Sequence, residues 1–144
     1  MGSAPAGAGR GVMMLQADRV LIVDDEFIIA QTLSVYVEDL GLEVCGTAAS
    51  ADEAVALALD QRPSIVLMDM RLQGERDGVD ASREIHERVG SKVIFITGSR
   101  EPATLARIEG DHPAAILFKP VSEGQLALAI RAVLAGTQQR PAQP

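Results

Sequence analysis

Aromatic residues, cysteine and histidine are scarce in this sequence, and each scarcity excludes something. There is no tryptophan, one tyrosine and three phenylalanines in 144 residues, so any core must be aliphatic. The lone Cys45 rules out a disulfide framework within the chain, and two histidines are too few for a zinc cluster. Basic side chains are outnumbered 13 to 20, giving a net charge of −7. That excludes the broad positive surface expected of a nucleic-acid or anionic-membrane binder. No apolar run approaches the roughly 18–20 residues of a membrane span. The N-terminal MGSAPAGAGRGVMMLQ has no long apolar segment of the secretory kind. Together these absences predict a cytoplasmic, acidic, globular protein with no direct nucleic-acid or membrane partner.

What is present is a regular alternation. At 47% hydrophobic the chain can build a core, and its length suits one domain. Residues 1–17 are rich in Gly and Ala and read as a disordered tail or leader. Residues 18–135 read as the domain, and 136–144, GTQQRPAQP, as a polar tail. Within the domain, apolar runs recur at VLIV (20–23), IVLM (65–68), VIFI (93–96) and AAILF (114–118), with a weaker one in LEVCGTA (42–48). Runs apolar on both faces predict strands of a parallel sheet covered on both sides. Helix-period segments lie between them. Ile29, Leu33, Tyr36, Val37 and Leu40 form one stripe, with Gly41 as a stop. Ser50 and Glu53 make a capping-box pattern, and Asp77 is placed as an N-cap. A short helix is expected over Ser99–Ile108 and a last one over Ser122–Ala135. The order βαβαβαβαβα predicts an α/β, flavodoxin-like doubly wound fold: five parallel strands in the order 2-1-3-4-5, with five helices.

The strands end in polar groups. The first runs into Asp24–Asp25, the third into Asp69, the fourth into Thr97 and the fifth into Lys119. In a parallel sheet these ends share one edge, where open α/β folds bind ligands. Three carboxylates gathered there repel unless a cation joins them. Hard oxygen ligands with room for water suit Mg²⁺. Asp69 stands apart as a candidate nucleophile toward a phosphoryl group. Lys119 can then neutralise the charge and Thr97 donate a hydroxyl hydrogen bond. Phosphoryl transfer needs mainly such positioning and charge stabilisation.

Asp24–Asp25, Asp69, Thr97 and Lys119–Pro120, in this order and spacing, resemble the response-regulator receiver domain of two-component signalling, of the stand-alone, chemotaxis-regulator-like type. The resemblance covers about Asp18 to Ala135. It implies a phosphoprotein in which Asp69 takes a phosphoryl group from a histidine kinase or a histidine phosphotransfer protein. It implies that Asp25, Asp69 and the backbone carbonyl of Arg71 bind Mg²⁺, with Asp24 acting through water. It implies a cis Lys119–Pro120 bond, and catalysis limited to the domain's own phosphorylation and dephosphorylation. The output is then contact with a downstream protein or a second copy of the chain.

Several positions depart from the common pattern. Ile116 stands where many relatives carry a switching aromatic three residues before the lysine. Gln73 replaces a frequent proline, and the loop QGERDG is about one residue longer than usual. Arg71 and Ser99 flank the site, two residues beyond Asp69 and Thr97, where side chains tune acyl-phosphate lifetime. MDMRLQGERDG and FITGS resemble receivers paired with an unorthodox group of bacterial sensor kinases. The competing enzyme reading is a haloacid-dehalogenase-like phosphatase. It requires a second acid two residues after the nucleophile, where this chain has Arg71. His86, His112, Cys45, Met68 and Met70 are expected to be structural or surface residues, and GAGRG lacks the strand and Lys-Ser/Thr of a phosphate loop.

Overall fold

The structure, a computed structural model, describes residues 19–139. Five strands alternate with five helices: β1 (Arg19–Val23), α1 (Phe27–Asp39), β2 (Glu43–Ala48), α2 (Ala51–Gln61), β3 (Ile65–Asp69), α3 (Gly78–Arg88), β4 (Lys92–Thr97), α4 (Pro102–Glu109), β5 (Ala115–Phe118) and α5 (Glu123–Gln139). All pairings are parallel, in the order β2-β1-β3-β4-β5, as expected. Most of the expected tail residues, 1–17 and 140–144, lie outside the described range.

Strand periodicity divides the core into two layers. Leu21, Val23, Val66, Met68, Val93 and Phe95 point one way, against Ala54, Ala58, Val79, Ile85 and Ile108. Val20, Ile22, Ile65, Leu67, Ile94 and Ile96 point the other way, against Ala30, Leu33, Val37, Leu126 and Ile130. Successive side chains of a strand alternate faces, so an unbroken apolar run feeds both layers. Each fully buried Leu or Ile contributes roughly 1.5–3 kcal/mol. The central strands β1, β3 and β4 are almost wholly buried, and the edge strands β2 and β5 only partly. Cys45 is the extra residue of a bulge, between Val44, paired with Val20, and Gly46, paired with Leu21. It packs half-buried on the first layer.

The caps explain the helix starts. Ser50 accepts from the Glu53 amide at 3.2 Å, and the Glu53 carboxylate accepts from the Ala49 amide at 2.9 Å. Asp77 and Asp80 form a reciprocal capping box at α3, both bonds 3.0 Å. Ser122 and Gln125 do the same for α5. Gly41, at φ +85°, stops the chain after α1.

Two helices differ from the expected bounds. α4 starts at Pro102 rather than Ser99, because a residue before proline is driven out of the helical region; Glu101 sits at φ −67°, ψ 135°. α5 runs to Gln139, past Ala135. The polar Thr-Gln-Gln stretch is no barrier to a helix already nucleated by its buried face.

Candidate functional site

The carboxyl ends of β1, β3, β4 and β5 meet at a crevice of about 980 Å³. Asp25, Asp69, Arg71, Thr97 and Lys119 all line it. Every sequence-predicted site residue therefore comes to one edge of the sheet. Asp24, beneath them, is buried, as are Asp69 and Thr97, whereas Asp25 is more open to solvent.

Lys119 organises the acids. Its Nζ lies 3.1 Å from Asp24 Oδ2 and 3.3 Å from Asp69 Oδ2. The Lys119–Pro120 bond is cis, and the Lys119 amide donates to the Thr97 carbonyl at 2.9 Å. Asp24 Oδ1 accepts from the Glu26 amide at 2.9 Å. Asp24 Oδ2 is buried and ion-paired with Lys119, and makes no hydrogen bond among the described residues. Thr97 Oγ1 accepts from the Ser99 amide at 3.1 Å, which leaves its hydroxyl hydrogen available to an acceptor in the crevice.

Charge is imbalanced here. Burial, and then the neighbouring Asp24 carboxylate, push Asp69 up to about 6, against the opposing pull of Lys119. Burial works against the Lys119 charge, yet the adjacent Asp69 and Asp24 carboxylates outweigh it and raise the lysine above its ordinary value. Oxygens of Asp24, Asp25 and Asp69 all lie within 4.8 Å of one another. An all-oxygen set, a buried oxygen lacking a hydrogen bond and one solvent-facing carboxylate fit a hard, partly hydrated divalent cation.

Three features of the site had weaker signals in the sequence. The first is Gly78, where a Cβ would meet the backbone oxygen of Asp69 at 2.1 Å. Its amide donates to the Met70 carbonyl at 2.8 Å, so α3 presses directly on the chain that carries Asp69. A glycine at the first position of a helix, where it lowers helix propensity, was the available clue. The second is Arg107 of α4, paired with both acids of the α3 capping box, Asp77 and Asp80. The third is Arg100, stacked over the Phe118 ring. Spacing along the chain predicts neither pair. The histidines lie away from the crevice: His86 Nδ1 is 3.1 Å from Asp111, and His112 is exposed at φ +56°.

Comparison with known proteins places this geometry. Residues 20–131 match the model of the response regulator receiver domain. The chain is 34% identical over 128 residues to the phyllosphere-induced regulator PhyR of Methylorubrum extorquens, spanning 88% of this chain and 47% of that protein. It is 34% identical to the transcriptional regulatory protein PdtaR of Mycobacterium tuberculosis, over 78% of this chain and 54% of that one. The chain thus spans about half the length of these curated relatives. Among solved structures, the signal receiver domain of a modulated diguanylate cyclase from Desulfovibrio desulfuricans superposes with a TM-score of 0.80 at 34% identity, covering 85% of this chain and 97% of that one. A CheY-like receiver domain protein from Methanospirillum hungatei gives 0.78 at 27% identity, over 85% and 98%.

Proposed function

Because the chain belongs to the response regulator receiver domain family, a phosphoacceptor module of two-component signalling, we propose that Asp69 is its phosphoacceptor. The observation that carries this is Lys119, held between Asp69 and Asp24 at 3.3 and 3.1 Å. A fixed cation beside a buried carboxylate is what an acyl phosphate of about −2 charge needs. The donor is a phosphohistidine on a histidine kinase or phosphotransfer protein. The P–N bond of the donor breaks, a P–O bond to Asp69 forms, and the imidazole leaves with a proton. Asp25, Asp69 and the Arg71 carbonyl would hold Mg²⁺, with Asp24 reached through water. The ion, when bound, offsets the charge of the transferring group. Thr97 donates its hydroxyl hydrogen to a phosphoryl oxygen and Lys119 balances the rest.

Phe27 and Ile28 are 71% and 73% exposed and directly follow Asp25 and Glu26 at the mouth of the crevice. They form an apolar landing for the donor. Output goes through a downstream protein or a second copy of the chain, on the surface of α4, β5 and α5. Moving a two-state equilibrium from 1:99 to 99:1 takes about 5.5 kcal/mol. Two or three charge-assisted hydrogen bonds at roughly 1.5–3 kcal/mol each total about 3–9 kcal/mol, a range that spans this requirement.

The test is intact-mass spectrometry after incubation with phosphoramidate and Mg²⁺, with wild type beside Asp69→Asn, and with and without chelator. One added phosphoryl group on wild type, absent from the variant and from the chelated sample, is the expected result. An adduct that survives Asp69→Asn overturns the assignment.

A further inference from the structure

Arg100 sits where the crevice meets the outer end of β5. Its guanidinium carbon lies 4.0 Å from the centroid of the Phe118 ring, a cation–π contact. The same residue lines the crevice with Asp69, Thr97 and Lys119. Phe118 is tied to the site on its own account: it pairs with Thr97 across β4 and β5 and immediately precedes Lys119. Strand alternation puts Phe118 on the same face of β5 as Ile116, which packs against the core layer that contains Ile108 of α4.

The other cations of the crevice divide into committed and uncommitted. Lys119 is held by Asp24 and Asp69. Arg76 is held by Asp52 at 2.9 Å and Glu84 at 2.6 Å. Among the described residues Arg71 and Arg100 have no carboxylate partner, and of these two Arg100 alone rests on an aromatic ring. Gly98, whose Cβ position meets nothing within 4 Å, lies between Thr97 and Arg100. Gly98, Arg100 and Glu101 are all exposed, so the segment ahead of α4 can shift without opening the core.

We propose that Arg100 is a phosphoryl-binding residue that exchanges partners on phosphorylation, leaving the Phe118 ring for the phosphoryl oxygens on Asp69 and uncovering that ring on β5. This rests on the acceptor role of Asp69. The direction of exchange follows from strength: a guanidinium–phosphate pair, bidentate and charge-assisted, outweighs an exposed cation–π contact. The aromatic that reports the phosphate then stands one residue before Lys119 instead of at position 116, and it responds by losing a cover.

The experiment uses the full chain labelled with 4-fluorophenylalanine. Fluorine NMR is recorded before and after phosphoramidate and Mg²⁺, with the adduct checked by intact mass on the same sample. The Phe118 resonance is identified as the one lost in Phe118→Leu. In wild type it moves toward the shift of the free amino acid when the phosphoryl group is added. In Arg100→Ala it starts near that position and stays there, and the acyl phosphate decays roughly fivefold faster for want of one charge-assisted contact. Arg100→Lys, which keeps the charge, recovers part of the lifetime. An adduct with an unmoved Phe118 resonance, or an Arg100→Ala protein identical to wild type in shift and lifetime, overturns the exchange and leaves the acceptor assignment standing. Absence of any adduct overturns both.

Discussion

The starts of α3 and α4 both reach the crevice, Asp77 from one and Thr104 from the other, but they are held differently. α3 buries Gly78, Val79, Ala81, Ser82 and Ile85, is closed by a capping box and presses against the Asp69 backbone. α4 is shorter, has no side-chain cap on its first turn and buries only Ile108. Its polar tie to the rest is Arg107, paired with Asp77 and Asp80. One wall of the crevice is fixed by packing. The other rests on buried Ile108, on half-buried Leu105 and on charges belonging to the first. Few buried contacts mean a low free energy of local opening, so α4 is the wall that can move when the charge on Asp69 changes.

The contrast breaks most severely at Gly78. Gly78→Ala drives a Cβ against the Asp69 backbone carbonyl, so a loss of about 3 kcal/mol or more is expected in chemical unfolding. A change below about 1 kcal/mol would mean that α3 does not bear on Asp69 in this way.

Ile108→Ala tests the other wall. Removing the one buried anchor of α4 is expected to lower stability by about 2–4 kcal/mol. Hydrogen exchange should show the largest acceleration in the amides of α4, with those of α3 nearly unchanged. Equal acceleration in both helices would remove the distinction drawn here.

The charge between the walls gives a smaller effect with a definite sign. Asp69 titrates near 6 in the folded metal-free protein, above its ordinary value of about 3.9. Its ionised form therefore costs the folded state above pH 6, and the cost is relieved as pH falls through that value. Metal-free protein is expected to gain about 1 kcal/mol from pH 7 to pH 5. Asp69→Asn should flatten that part of the profile. Asp80, held below the usual range by the Asp77 amide and then by Arg107, loses its contribution only at lower pH, so the two effects separate. A thermal scan in which wild type and Asp69→Asn run parallel from pH 7 to pH 5 would refute the assignment of cause.

Arg107→Ala sharpens the comparison most gently. Its pairs are part-exposed, so less than about 1 kcal/mol of stability is at stake. The amides of α4 should still exchange several-fold faster, since the tie between the walls is gone.

Much of this is legible in the sequence. Apolar runs from Val20, Ile65 and Val93, with helix-period stripes between them, specified strands, helices and their parallel order, because side-chain period reports local backbone geometry. Asp24, Asp25, Asp69, Thr97 and Lys119 were legible for the same reason: each ends a strand, and parallel strand ends share an edge. The start of α4 differs from the helix-period pattern because Pro102 bars Glu101 from the helical region. The reach of α5 to Gln139 has no apolar period to mark it, since a polar segment continuing a helix has the composition of a tail.

By itself, then, the sequence determined the elements, their order and which side chains gather at the crevice, since those follow from periodicity and chain direction. Tertiary structure alone decided how they meet: that Lys119 divides itself between Asp24 and Asp69, that Gly78 lies against the Asp69 carbonyl, that Arg107 spans from α4 to Asp77 and that Arg100 rests on Phe118. These contacts join residues far apart in the chain, and no local pattern encodes a distance that only packing sets.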